Sequence, residues 1–271
     1  MVILNLSRNM NARIVGSGKE TIILAHGYGG DQSIWDKIWP KLSECYRIVL
    51  FDWSFSGAVK DHQSSLFDAD KYSSYEAFAD DLIALADELK LDSSIFVGHS
   101  MSGIIGCIAS IKRPHLFNRL ILVASSPRFI NLEDYEGGFE IPEMEEMFQN
   151  IEENYDVWSS SFARIAVDPS DPSSVEKFDK CLKRMGVEVA LPLAKSVFLS
   201  DYRGILDKVI TPCTIIQTKV DFVVPNSVAT LMHNTIKGES TVEVINTRGH
   251  FPQLTAHEEF LNGDWCTCPT R

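Results

Sequence analysis

Short apolar, largely β-branched runs recur through the first half of the chain, each separated from the next by a longer stretch with helical or turn character. Ala12–Val15, Thr21–Ala25, Tyr46–Phe51, Ser94–Val97 and Arg119–Ala124 read as strands. Near-continuous apolar runs of this length fit strands buried on both faces of a mostly parallel sheet. Ahead of the fourth run, Ser73-Ser74-Tyr75-Glu76 has the spacing of a capping box, and Phe78, Leu82, Leu85 and Leu89 then fall on one face of a helix. Ser102–Ile111 reads as a second helix, apolar on nearly every side and therefore buried.

The alternation stops after residue 124. Residues 131 to about 200 carry helical patterns and no strand pattern, punctuated by Pro142, by Asp168-Pro169-Ser170-Asp171-Pro172 and by Gly186. Strand patterns return at Cys213–Gln217 and Thr241–Ile245, flanking a helix near Ser227–Ile236. The pattern predicts one α/β domain in three stretches: core residues 1–130, a helical insertion at 131–200, and core residues 201–271. A helical insertion between two blocks of one sheet is the arrangement of a lid, and a functional site is expected between the two.

Composition narrows the partners. The 271 residues are 45% hydrophobic and 23% charged, an ordinary globular balance that excludes a disordered or collagen-like chain. The net charge of −12 opposes a phosphate backbone or an anionic bilayer, so neither nucleic acid nor membrane is expected as a partner. No run of apolar residues is long enough to span a bilayer, and Met1-Val2-Ile3-Leu4 is too short for a secretion signal, so a cytoplasmic and nuclear location is expected. Six scattered cysteines are then expected as reduced thiols. Cys266-Thr267-Cys268 is too closely spaced for a structural zinc site, and neither a dinucleotide fingerprint nor a phosphate loop is present, so no metal or cofactor is expected.

The chemistry concentrates at Val97-Gly98-His99-Ser100-Met101-Ser102-Gly103, where a strand runs into a sharp turn and a helix. This is the context of a nucleophile elbow, with Ser102 standing where the second glycine of that motif usually lies. A serine hydroxyl needs a base and the base needs an orienting acid. His250, on a loop after the last strand pattern, and Asp221, four residues past Gln217, supply them in the chain order nucleophile, acid, base. Backbone N–H groups of Tyr28, in the glycine-bearing loop Gly27-Tyr28-Gly29-Gly30, and of Met101 are candidate oxyanion donors.

With these residues placed, the chain resembles the α/β-hydrolase superfamily, and within it the plant receptor-hydrolases for strigolactones and karrikins. The likeness is carried by Gly27-Tyr28-Gly29-Gly30-Asp31-Gln32-Ser33-Ile34-Trp35, Ser126-Pro127-Arg128-Phe129, Asp134-Tyr135-Glu136-Gly137-Gly138-Phe139 and Gly249-His250-Phe251-Pro252-Gln253-Leu254. Asp52-Trp53 with Phe55-Ser56-Gly57-Ala58 is most similar to the Dwarf-fourteen-like-two clade. The resemblance implies an eight-stranded core under a V-shaped four-helix lid, a deep apolar pocket, slow hydrolysis of a butenolide, and signalling through an F-box protein and a repressor. By position it implies that Tyr28, Phe129, Phe139, Trp158, Phe162, Phe198 and Phe222 line the pocket. It leaves two readings open: a serine hydrolase of a small apolar ester or butenolide, and a ligand-sensing receptor in which hydrolysis is incidental. Tyr28 stands where most relatives carry Phe. Past His257 the likeness fails, because Gly263 and Pro269 disfavour the long final helix of the relatives, and apolar sheet surface is expected to be exposed there.

Overall fold

A computed structural model describes residues 5–60 and 67–266. Its centre is one sheet of seven strands, β1 (Arg13–Val15), β2 (Thr21–Ala25), β3 (Arg47–Leu50), β4 (Ser94–His99), β5 (Phe117–Val123), β6 (Cys213–Val220) and β7 (Ser240–Arg248). They lie in the order β1-β3-β2-β4-β5-β6-β7, parallel throughout except for β1, which runs antiparallel to β3. Each strand pattern read from the sequence has its strand. The eight strands implied by the resemblance are seven among the described residues.

β4 occupies the middle, and all six of its residues are buried. Beside it, α1 (Tyr75–Glu88) buries Phe78, Leu82 and Leu85 as its periodicity predicts, and α2 (Met101–Lys112) buries every residue from Met101 to Ser110. The capping box expected at the start of α1 does not form. Ser74 is the N-cap and makes no side-chain capping bond; the Tyr75 N–H donates to the Tyr202 hydroxyl, which itself donates to Glu76. A distant tyrosine thus holds the Glu76 carboxylate that the box would have needed.

Between β5 and β6 come four helices: α3 (Ile141–Glu153), α4 (Tyr155–Ala166), α5 (Pro172–Met185) and α6 (Val187–Phe198). The punctuation explains their ends. Pro142 sits in the first turn of α3, the Asp171 carboxylate caps α5 by accepting from the Ser174 N–H, and Gly186 at φ +81° turns the chain between α5 and α6. A further helix, α7 (Asn226–Thr235), connects β6 to β7.

After β7 the helices are short, Pro252–Thr255 and His257–Leu261. The Phe260 and Trp265 rings are buried and in edge-to-face contact, with the Trp265 indole N–H donating to the Phe260 carbonyl. Apolar exposure at this edge is confined mainly to Val242 and Val244, 38% and 56% exposed. Among the cysteines, Cys107, Cys181 and Cys213 are free, but Cys45 is disulfide-bonded, which corrects the expectation of reduced thiols throughout. Spacing along the chain carries no information on which thiols folding brings within bonding reach. No helix among the described residues is long and apolar enough to cross a membrane.

Candidate active site

Ser100 lies between the end of β4 and the first turn of α2 with φ +56° and ψ −124°. For a residue with a Cβ this backbone costs on the order of 1–3 kcal/mol, and it persists only where the surroundings enforce it. Here they do: the Ser100 N–H donates to the Val123 carbonyl and the Ser100 carbonyl accepts from Gly103 N–H. A Cβ at Gly98 would lie 2.6 Å from the Gly103 nitrogen, so only glycine lets the helix start this close to the strand.

Asp221 and His250 stand on the loops after β6 and β7. The His250 Nδ1–H donates to Asp221 Oδ2 at 2.8 Å, while Asp221 Oδ1 accepts from the Val223 and Val224 N–H groups at 2.8 and 3.1 Å. Both side chains are withdrawn from solvent. With Nδ1 carrying its proton, Nε2 of a neutral His250 holds a free lone pair, the form a general base needs. The backbone of His250 is fixed from two sides, its N–H by the Ala166 carbonyl at the end of α4 and its carbonyl by the His99 Nε2–H at 2.8 Å. Burial, followed by the nearby His250, pushes the His99 imidazole well below its ordinary pKa, so it stays neutral.

The loop holding Tyr28 is anchored through His26. The Ser102 hydroxyl and the Trp53 indole N–H both donate to the His26 carbonyl. The His26 ring, also lowered in pKa by burial, donates from Nδ1 to the Gly27 carbonyl and accepts the Trp53 N–H at Nε2. Asp52, buried, accepts from the Gln32 N–H and side-chain amide and from Asn11. Ser102 is therefore more than a tolerated replacement for glycine: its side chain ties the elbow to the Tyr28 loop. Neither the Tyr28 nor the Met101 backbone N–H is engaged in a hydrogen bond among the described residues, leaving both available to an oxyanion.

Ser100, His99, His250 and Tyr28 face one cavity together with Phe129, Phe162 and Phe198. Three aromatics implied by the resemblance lie elsewhere. Phe139 packs behind Phe198, Trp158 stacks on Phe162 and meets the Tyr28 ring edge-on, and Phe222, 53% exposed, lies under the Arg248 guanidinium outside the cavity. Sequence reasoning missed Ala166, Phe178, Val197, Val223 and Phe251, which complete the wall. Phe178 and Val197 lie in the stretch read only as helical patterns, and periodicity does not say what a face is buried against. The deep pocket implied by the resemblance is here a cavity of about 20 Å³.

Comparison with known proteins bears on this geometry. A family model described as the alpha/beta hydrolase fold matches residues 20–155. The chain is 43% identical to strigolactone esterase D14 of Arabidopsis thaliana over 252 residues, 93% of each chain, and 41% identical to karrikin insensitive 2 receptor IA of Petunia hybrida over 93% of this chain and 92% of that one. Among solved structures, a hydrolase from Oleispira antarctica superposes with a TM-score of 0.88 at 29% identity, covering 96% of this chain and 97% of the other. The chain belongs to the α/β-hydrolase family, within the group that holds the plant strigolactone esterases and karrikin receptors.

Proposed function

We propose that the protein is a serine hydrolase of a small apolar ester or butenolide, coupled to hormone-type signalling in a plant. Ser100 Oγ attacks the acyl carbon and its proton passes to His250 Nε2. The tetrahedral oxyanion accepts from the Tyr28 and Met101 N–H groups. The imidazolium, oriented by Asp221, returns the proton to the leaving oxygen, and water repeats the sequence to free the acid and Ser100. Residues 131–200 act as the lid over this chemistry. The observation that carries the reading is a serine held at φ +56° whose cavity also holds a histidine bonded at 2.8 Å to a buried carboxylate. Ser100→Ala tests it: turnover of p-nitrophenyl acetate and labelling by a fluorophosphonate should both be lost from a protein that melts normally, and unchanged turnover refutes the assignment.

A receptor reading, with hydrolysis slow or incidental, is favoured by one observation: α4, α5 and α6 supply Phe162, Ala166, Phe178, Val197 and Phe198 to the cavity wall, so a ligand beside Ser100 touches three helices of the insertion directly. Occupancy would then be reported as a change of surface to signalling partners, an F-box protein and a repressor being those the family likeness suggests, in the cytoplasm and nucleus. A partner-binding signal that rises with ligand in the Ser100→Ala protein supports that reading.

A further inference from the structure

β6 does not stop where its apolar pattern does. The strand runs past Gln217 to Val220, and Gln217 and Thr218 are buried within it, 1% and 0% exposed. Polar side chains so withdrawn persist only where they are hydrogen-bonded, and both are. The Gln217 amide donates to the Val224 carbonyl at 2.7 Å and to Asp221 Oδ2 at 3.4 Å, closing the loop that carries the acid. The Thr218 hydroxyl donates to the Gly249 carbonyl at 2.8 Å, in the loop that carries the base. Successive side chains of a strand point to opposite faces, so these neighbours in sequence can serve different loops.

The grip on the base loop is double. The Gly249 N–H donates to the Val220 carbonyl at 2.8 Å, so both backbone polar groups of the residue before His250 are tied to β6. The pairing of the strands shows why a side chain is needed for one of them. Thr218 pairs with Ile245 and Val220 with Arg248, so Asn246 and Thr247 of β7 face Lys219 alone. Such a bulge interrupts the ladder and turns the chain beyond it. Gly249 lies past the end of β7 at φ +87°, and among the described residues no backbone N–H donates to its carbonyl. The Thr218 hydroxyl takes that place.

Resting on the hydrolase reading above, we infer that Gln217 and Thr218 are positioning residues for it. From adjacent places on one strand they set the acid and the base against each other, and the 2.8 Å bond from His250 Nδ1 to Asp221 Oδ2 depends on both. Neither side chain lines the cavity at Ser100, so each acts through the loop it holds and not on the reacting atoms.

The experiment uses the full chain with p-nitrophenyl acetate, and Ser100→Ala as the blank. Thr218→Val keeps the branched shape and loses the donor, Thr218→Ser keeps the donor, and Gln217→Met keeps the length and loses the amide. Displacing a catalytic group by ~1 Å costs on the order of 100-fold, so Thr218→Val and Gln217→Met should each lower kcat by roughly 10–100-fold. KM should barely move, because neither residue meets the substrate, and Thr218→Ser should restore most of kcat. A folded Thr218→Val or Gln217→Met protein with wild-type kcat overturns the proposal, as does a Thr218→Ser protein as slow as Thr218→Val. The substitutions act on different loops, so one that fails to fold leaves the decision to the other. If wild-type turnover equals the Ser100→Ala blank, the hydrolase reading has failed, and the proton resonance of the His250 Nδ1–H in the NMR spectrum decides instead. Held by Asp221, that proton is protected from exchange with water. Its signal should survive in Thr218→Ser and vanish in Thr218→Val and Gln217→Met, and survival in either of those two overturns the positioning role.

Discussion

His99 Nε2–H donates to the backbone carbonyl of His250 across 2.8 Å, so the residue preceding the candidate nucleophile holds the loop of the candidate base. The two rings lie 4.9 Å apart, and the buried His99 Nδ1 has no hydrogen-bond partner among the described residues. One bond thus links the end of β4 to the loop after β7, two segments 151 residues apart in the chain.

His99→Phe should preserve most of the volume and remove the bond. The His250 carbonyl then loses its donor in a dry site, at a cost of about 1–3 kcal/mol. Urea denaturation should show that loss, and kcat should fall more than KM rises because His250 is no longer held in place. A variant as stable and as active as the wild type contradicts the positioning role.

His99 and His26 also set a pH dependence. Both have pKa values lowered from 6.5 by burial, so below pH 6.5 the unfolded chain takes up protons that the folded chain refuses. Their contribution is complete above pH 6.5 and is lost as pH falls toward the folded values. The slope is about 1.4 kcal/mol per pH unit for each histidine. Between pH 6.5 and 5, above the range in which the carboxylates with lowered pKa titrate, unfolding free energy should drop steeply, and His99→Phe should remove about half of the slope. A flat stability profile over that window would falsify this assignment.

The Ser102 hydroxyl and the Trp53 indole share the His26 carbonyl as acceptor. Ser102→Gly restores the residue usual at this place in the elbow motif but frees one side of the Tyr28 loop. Losing one buried hydrogen bond, about 1–1.5 kcal/mol, should appear as a fall of roughly 5–10-fold in kcat with little change in KM. Trp53→Phe should do the same, and the double variant should fall short of the product of the two, since the pair acts on one atom. Strict multiplicativity would mean that the two bonds act separately.

The fold was legible where the physics is local. Strand runs, the apolar face of α1 and the breaks at Pro142 and Gly186 need only neighbours along the chain. So did the order Ser100, Asp221, His250, because the elbow and the strand-end loops follow from that alternation. What the sequence hid depends on contacts between distant segments. Tyr202 displaces the capping box at Glu76, Phe178 reaches the cavity from α5, and Phe222, adjacent to Asp221, points away from it. Ser102 illustrates the limit well, since its size could be judged from the motif but its bond to His26 could not.

Ser100→Gly and Ser100→Ala should separate chemistry from strain. Both remove the hydroxyl, so both should be inactive. Alanine keeps a Cβ at φ +56°, whereas glycine relieves a strain of about 1–3 kcal/mol and gives back roughly 0.4–1 kcal/mol through the freer unfolded chain. The glycine variant should therefore melt above the alanine variant, and equal melting temperatures would mean that the elbow stores no strain.

Gly249 offers the sharpest test of the contact between the insertion and the base. It sits at φ +87°, and a Cβ there would lie 2.8 Å from the Asp168 nitrogen and 3.0 Å from the Ala166 carbonyl, the acceptor of the His250 N–H. Alanine must push the end of α4 away or drag His250 with it. A misplacement of ~1 Å in a catalytic group costs on the order of 100-fold in rate, so Gly249→Ala should lower kcat by about that factor. Backbone strain should lower its stability by a further ~1–2 kcal/mol. If the loss comes from His250 alone, labelling of Ser100 by a fluorophosphonate should slow in parallel with ester turnover, since both need the base; labelling that stays fast would place the defect in the insertion instead.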